Sequence, residues 1–307
     1  MKSIIVTGGD GMLGNALKAI LPSAIFLTRT DCDLRDLYSV RKVFSELQPT
    51  SIIHLAAVVG GIKKNAEKNA DLLTQNLQIN TNVLSVAAEL KCPRVLSLLS
   101  SCAYQTYPDK PSSEADLHIN LPYHGNLGYG MSKRILDIQI ALLSEQYGHT
   151  YSSLTPVTMY GPFDNFSLED GHVVSSLIRK TVEAKDSHTP LYVWGSGEAV
   201  RQFIFVKDVA IIVLKVLNDY KNPQTKIIAP NSGISIRNLV EVITGAVGFN
   251  GPVIYDISKP EGQKFKTLES KFCPEYLKGF LFTSLEQGIK ETVGWFINNQ
   301  RKLNLHS

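Results

Sequence analysis

The chain has 307 residues, 44% apolar and 19% charged, which is enough to bury a large core and too apolar for disorder. Its formal net charge is +3 with no long basic block, so the charge pattern gives no argument for nucleic acid. The longest apolar runs are strand-sized, short of a membrane span, and the opening residues read as a strand rather than a signal peptide.

Ser3–Thr7 is the first expected strand, and it runs directly into a glycine-rich turn. Gly8, Gly11 and Gly14 give the spacing G-x-x-G-x-x-G between that strand and a helix over Met12–Ile20. Gly8 permits the tight turn, Gly11 lets backbone approach a pyrophosphate, and Gly14 lets helix pack on strand. The helix N-terminus then offers amide donors and positive potential to phosphates. A strand over Ala24–Leu27 ends at Thr28-Arg29, where an NAD site usually carries a carboxylate. Arg29 suits a ribose 2′-phosphate instead, so NADPH is expected over NADH. Asp31 and Asp33 follow, and Asp33-Leu34 is placed to meet the adenine. The plain alternative for Arg29 is a solvated surface arginine.

Helices over Leu37–Leu47, Asn69–Leu90 and Tyr129–Tyr147 are expected to alternate with strands over Ser51–Leu55, Val95–Ser100 and Ser152–Pro156. These strands are near-continuous apolar runs, as in a parallel sheet covered on both faces. The fold class is therefore α/β: a Rossmann-type doubly wound sheet with a smaller C-terminal α/β substrate lobe. The expected division is a cofactor-binding domain over 1–155, with some later segments returning to it, and a substrate lobe over 156–307. The second part opens on loop-like Gly161-Pro162-Phe163-Asp164-Asn165.

Tyr129 and Lys133 are four apart and share a helix face. An ammonium beside a phenol is expected to lower its pKa and tune it for proton transfer to a carbonyl or alcohol oxygen. With a nucleotide site, that pair implies hydride chemistry at a carbonyl. The four cysteines, Cys32, Cys92, Cys102 and Cys273, form no C-x-x-C pair, so reduced thiols and a cytoplasmic location are expected. Cys32, Cys92 and Cys273 are assigned to packing or surface. Ser100 and Cys102 are two apart in a segment expected to be extended, so both point the same way. A thiol and an imidazole can exchange protons near neutral pH. The bland alternatives are a small buried thiol at Cys102, a loop histidine at His172 and a lobe-bridging ion pair at Arg201.

Taken together, Thr-Gly-Gly-Asp-Gly-Met-Leu-Gly (7–14), His-Leu-Ala-Ala-Val-Val-Gly-Gly-Ile (54–62), Ser-Ser-Cys (100–102), Tyr-x-x-x-Lys (129–133) and Gly-Pro-x-Asp-Asn (161–165) resemble the extended short-chain dehydrogenase/reductases. Glu-Asp-Gly-His-Val (169–173), Val-Trp-Gly-Ser-Gly (193–197) and Arg-Gln-Phe (201–203) resemble the GDP-L-fucose synthase family within them. The resemblance implies an NADPH-dependent 3,5-epimerase/4-reductase acting on GDP-4-keto-6-deoxy-D-mannose. It implies that Ser100 hydrogen-bonds the C4 carbonyl, Tyr129 protonates the C4 oxygen, and Lys133 binds the nicotinamide ribose. Cys102 and His172 are implied as the acid/base pair that inverts C3 and C5. Gly8, Gly11, Met12, Leu13, Gly14, Arg29, Asp33, Leu34, Ala56, Lys133 and His172 are implied at the cofactor. Lys180 and Arg201 are implied at the diphosphate, and Trp194 near the nucleotide. A homodimer built on the helices at 69–90 and 129–147 is implied, with no metal, membrane or nucleic-acid partner. Thr158 and Phe163 stand where this family has Asn and His. No Asp or Glu lies between Lys91 and Tyr107, which counts against dehydration. The alternatives are a single-function reductase or epimerase of a related GDP-4-keto sugar, such as a GDP-6-deoxy-heptose, and a silent NADP-binding regulatory protein.

Overall fold

The computed structural model describes residues 3–61, 65, 67–105, 107, 110–230, 233–259 and 261–300. In chain order its elements are β1 (Ile4–Thr7), α1 (Met12–Ile20), β2 (Ile25–Leu27), α2 (Leu37–Leu47), β3 (Ser51–His54), α3 (Asn69–Glu89), β4 (Arg94–Leu98), α4 (Leu127–Tyr147) and β5 (Thr150–Pro156). Then come β6 (Thr158–Tyr160), α5 (Val173–Ser187), β7 (Leu191–Trp194), β8 (Val200–Arg201), β9 (Phe203–Phe205), α6 (Val206–Asp219) and β10 (Lys226–Ile228). The chain continues through β11 (Ile234–Ser235), α7 (Ile236–Val247), β12 (Val253–Asp256), β13 (Phe265–Lys266), α8 (Phe272–Tyr276) and α9 (Leu285–Asn299).

Six strands form one sheet in the order β10-β5-β4-β3-β1-β2, and every pairing is parallel. Ile5 and Val6 are both fully buried, so both faces of β1 are covered and the apolar/polar alternation disappears. α3 packs along α4, and α1 packs against α6. The chain thus builds the Rossmann-type layers expected of it. The order reverses at β1, which has β2 on one side and β3 on the other. In such sheets ligands bind beyond the carboxyl ends of the strands at this point.

The third-layer return of Val206–Leu217 and the edge strand β10 join the same core as the first five strands. β10 has only three residues, too few to show a period, and was not expected from the sequence. A second core gathers Tyr160, Leu177, Ile178, Leu239, Ile243, Ile289 and Phe296 from the later segments. There β8 sits between β11, antiparallel, and β13, parallel, with Lys266 opposite Arg201 in register.

Two local differences matter for the site. The fourth strand stops at Leu98, not Ser100. Ser100 instead caps a 3₁₀ turn over Ser101–Ala103, its hydroxyl accepting from the Cys102 amide at 3.2 Å. The segment expected to be extended is therefore a tight turn. α4 starts at Leu127, preceded by a 3₁₀ turn over His124–Asn126, so Tyr129 lies within the first turn rather than at its start.

Candidate active site

The glycine turn has the shape of a phosphate cradle. Gly8 has φ of +72°, and a Cβ there would lie 2.9 Å from the Ala56 amide nitrogen at the end of β3. A Cβ on Gly14 would lie 2.6 Å from the Gly8 carbonyl oxygen, so α1 can approach β1 only through a glycine. At Gly11 the sole atom within 4 Å of such a Cβ is the Gly8 oxygen at 3.3 Å. This side of the loop is open. α2, α7 and α9 begin on Asp36, Ser235 and Ser284, whose side chains accept from first-turn amides. α1 begins on Gly11 with no side-chain cap, and α3, α4, α5 and α6 likewise lack one; the first amides of α1, at Met12 and Leu13, follow the glycine turn directly. These residues fit a dinucleotide pyrophosphate. Leu13 and Leu34 have buried side chains, so they can meet a cofactor only through backbone. Asp33 is tied to Arg35 by a 2.6 Å ion pair, which holds its carboxyl down at about 2. Arg29 is exposed at the end of β2. Ile62, the last residue of the 54–62 segment, lies outside the described residues.

Ser100, Tyr129 and Lys133 converge at the carboxyl end of β4. Ser100 lies close enough to the Tyr129 phenol to lower its pKa, and the Lys133 ammonium lies 5.8 Å from the Tyr129 ring centre. Lys133 donates to the Leu98 carbonyl at 2.8 Å. The expected lowering of the Tyr129 pKa does not occur. Burial, reinforced by the nearby Cys102 sulfur, pushes the phenol well above its ordinary value despite Ser100. Burial also pulls Lys133 down to about 8, weakening the cation that was expected to stabilise the phenolate. Tyr129 is thus held as a neutral phenol, the form that can donate a proton. Beneath this group His54 is 1% exposed, between Thr7 Oγ1 at 2.8 Å and Asn80 Oδ1 at 3.1 Å. Burial, then the Lys133 charge, pulls its pKa down to about 3, so it is a neutral strut.

Cys102 and His172 form a second group facing the first. Burial alone would raise the Cys102 thiol, but Lys266, Ser100 and Asn126 together lower it. Lys266 Nζ lies 3.1 Å from Cys102 Sγ. His172 takes the N-cap position of α5 with extended backbone, and its side chain caps nothing. Its Nδ1 is 3.0 Å from Asp164 Oδ1. That hydrogen bond outweighs burial and raises the imidazole pKa, and the Cys102 charge adds to the rise. Asp164 is buried, and its second oxygen has no partner. It follows Phe163, a non-glycine residue at φ of +67°, so the loop holds strain where it aims the carboxylate. The two shifts run in opposite directions, toward easier loss of a proton at Cys102 and firmer holding of one at His172.

Outside the second core, Lys180 Nζ sits 5.0 Å over the exposed Trp194 ring. Burial lowers the Lys180 pKa. Arg201 leaves β8 next to Lys266 and feels both Glu261 and the Cys102 charge. The structure therefore joins Ser100, Tyr129 and Lys133, joins Cys102 with His172, and sets Arg201 beside them; Lys180 and Trp194 form a separate pair. Asp164, Asn126, Arg35 and Lys266 escaped the sequence reading. Asp164 lay inside the quoted Gly-Pro-x-Asp-Asn segment, but nothing local marked Lys266.

A family model described as the NAD dependent epimerase/dehydratase family matches residues 4–229. A Dictyostelium discoideum protein named GDP-L-fucose synthase is 34% identical, over 97% of this chain and 96% of that one. A GDP-L-colitose synthase from Yersinia pseudotuberculosis is 29% identical over 97% and 98% of the two chains. Among solved structures, a GDP-L-fucose synthetase from Naegleria fowleri bound to NADP superposes with a TM-score of 0.92 at 32% identity. That match covers 98% of this chain and 94% of the other.

Proposed function

We propose a function from the premise that this chain belongs to the NAD dependent epimerase/dehydratase family and, within it, to the GDP-L-fucose synthases: it is an NADPH-dependent epimerase/reductase that converts GDP-4-keto-6-deoxy-D-mannose to GDP-L-fucose. The observation that carries this reading is the presence of two proton-transfer groups at one site. Ser100, Tyr129 and Lys133 suffice for a reductase. The thiol and imidazole of Cys102 and His172 are a second pair that reduction alone does not need.

Epimerisation beside a ketone removes an α-proton and returns one to the other face, so it needs two groups on opposite sides of the ring. Cys102, with its lowered pKa, accepts the proton. His172, with its raised pKa, returns one. Ser100 hydrogen-bonds the C4 oxygen and Tyr129 donates its phenolic proton to it. Lys133, beside the Tyr129 ring, would stabilise the phenolate so formed and hold the cofactor ribose. NADP is the cofactor, and bound in its reduced form it supplies hydride to C4. Gly8, Gly11, Met12, Leu13 and Gly14 would hold its pyrophosphate, and Ala56, Asp33, Leu34 and His172 would contact the rest of it. Lys180 and Arg201 neutralise the substrate diphosphate, and Trp194 lies by the nucleotide. The division of labour is a cofactor domain over 1–155, with later segments returning to it, and a GDP-sugar lobe mainly over 156–307.

Incubation with NADPH and GDP-4-keto-6-deoxy-D-mannose in D₂O tests this reading. Wild type should oxidise NADPH and place deuterium at C3 and C5. Reduction with no deuterium at either carbon would leave the second reading, a C4 reductase of a related GDP-4-keto sugar. Phe163 favours that alternative, since its ring packs on Trp295 at 4.8 Å where the family has a histidine. The intact Ser100, Tyr129 and Lys133 set argues against a silent NADP-binding protein.

Arg29 selects NADPH in this reading. Asp33, the carboxylate that could hold the ribose of NADH, is already committed to Arg35. Arg29→Ala should weaken NADPH about tenfold, the loss of one exposed charge-assisted contact, and leave NADH unchanged. Fluorescence titration with both cofactors checks this. Equal wild-type affinities would contradict it.

The chain is also proposed to work as a cytoplasmic homodimer, with no nucleic-acid or membrane partner. No helix among the described residues is long and apolar enough to cross a membrane. The helically spaced stripe Leu136, Ile140, Leu143 and Tyr147 suits either a dimer seam or the chain's own core. Leu136 and Ile140 are fully buried in the chain's own core. The exposed apolar row on α4 is Ile135, Ile138 and Leu142, one position round the helix, with Tyr147 beyond. Light scattering at micromolar protein should give twice the chain mass.

A further inference from the structure

We propose that Lys266 is a positioning residue for the epimerising thiol: its ammonium pairs with the Cys102 sulfur, keeps it as thiolate and fixes its direction. The proposal rests on the reading of Cys102 as a proton-transfer group. The carrying observation is the 3.1 Å approach of Lys266 Nζ to Cys102 Sγ, across 164 residues of chain. That is hydrogen-bond distance for an ammonium and a sulfur.

The contact is built by the fold rather than left to a flexible side chain. Lys266 ends β13, which pairs in parallel with β8 and sets Lys266 beside Arg201. The next residues are clamped from two sides. Gln202 accepts from the Leu268 amide at 2.7 Å and donates to the Leu268 carbonyl at 3.0 Å. The Ser112 amide donates to the Thr267 carbonyl at 3.1 Å, and its carbonyl accepts from the Glu269 amide at 2.8 Å. Ser112 belongs to the loop that continues from Cys102. The strand bearing the cation is therefore held against Gln202 and against Ser112, which follows the thiol in the chain.

The neighbouring cations are engaged differently. Arg201 gives Nη1 to its own Val200 carbonyl at 2.7 Å, and Lys133 gives Nζ to Leu98. Besides Lys266, the groups facing Cys102 are the Tyr129 phenol, His172 with Asp164 behind it, Arg201, Ser100 and Asn126. The other three cysteines serve as internal controls. Cys32, Cys92 and Cys273 are buried without a paired ammonium, and burial raises each thiol, Cys92 to about 11. Cys102 moves the other way, and Lys266 is the largest of its lowering influences.

The test is alkylation of Cys102 by iodoacetamide from pH 5 to pH 10, read by mass spectrometry of its peptide. Lys266→Met keeps the length of the side chain and removes its charge. The alkylation midpoint should rise by about 1 to 3 pH units, the effect of losing an opposite charge at this range. Lys266→Arg should restore most of the shift. In the full reaction, deuterium exchange at C3 and C5 by Lys266→Met should fall at neutral pH and recover at alkaline pH. A structural defect would depress exchange equally at every pH and leave the alkylation midpoint in place, which overturns the proposal. So does a raised KM for the GDP-sugar with an unmoved midpoint, because Lys266 would then serve the substrate and not the thiol. The alkylation arm needs no substrate. A wild type that shows the Lys266-dependent midpoint yet takes up no deuterium would instead overturn the epimerase reading beneath the proposal.

Discussion

Tyr129→Phe should cut NADPH oxidation by about 10²–10⁴-fold while deuterium still enters the substrate beside the ketone. The variant removes one oxygen from a half-buried ring and leaves its packing intact. What is lost is the proton for the C4 oxygen. The pKa direction makes this effect large. Burial holds Tyr129 well above the ordinary phenol range, so in the free protein it is a loaded proton donor at neutral pH. Ser100 remains but can offer only a hydrogen bond. Cys102 and His172 are untouched, and their exchange needs an enolate, not a completed reduction. The measurement is NMR of deuterium at C3 and C5 beside absorbance at the NADPH band. If Tyr129→Phe stops both signals together, the two proton-transfer groups are not separable as argued.

Cys102→Ser should have the converse outcome. A serine hydroxyl is a far weaker acid than a thiol, and the Lys266 ammonium cannot bring it to its anion near neutral pH. Exchange should fall by about 10²–10⁴-fold while reduction of the ketone survives, giving an unepimerised sugar. The change is nearly isosteric, and Ser100 still caps the turn over Ser101–Ala103, so the site should keep its shape. A secondary sign is expected at Tyr129. The Cys102 charge helps to raise the phenol, so its removal should lower the Tyr129 pKa slightly. The alkaline limb of the reduction profile would then move to lower pH. Product stereochemistry by NMR decides the main point. Formation of GDP-L-fucose by Cys102→Ser at the wild-type rate would remove the thiol from the reaction.

Local chemistry in the chain determined the layers and the cofactor end of this protein. The helices at Met12–Ile20 and Leu37–Leu47 have the bounds read from their apolar spacing, because strong periods and turn residues act within a few positions. The glycine turn was legible for the same reason: Gly8 and Gly14 are required by contacts within the turn and with the adjoining strand end. The four-residue spacing of Tyr129 and Lys133 put them on one helix face before any tertiary fact was known.

Tertiary structure decided what those residues are worth. The direction of the Tyr129 pKa was misjudged from spacing alone, since burial outweighs a nearby ammonium and burial is set by the whole fold. The apolar stripe on α4 could face either a partner or the core, and only packing showed that Leu136 and Ile140 face inward. Asp164 reaches His172 across eight residues through a loop turned by a positive φ, which no period encodes. Lys266 depended entirely on the pairing of β13 with β8. A lysine in a short polar stretch has no local signature of its target. Its partner Cys102 lies 164 residues away and is reached through strand pairing, where the stabilising energy lies in contacts that sequence proximity does not record.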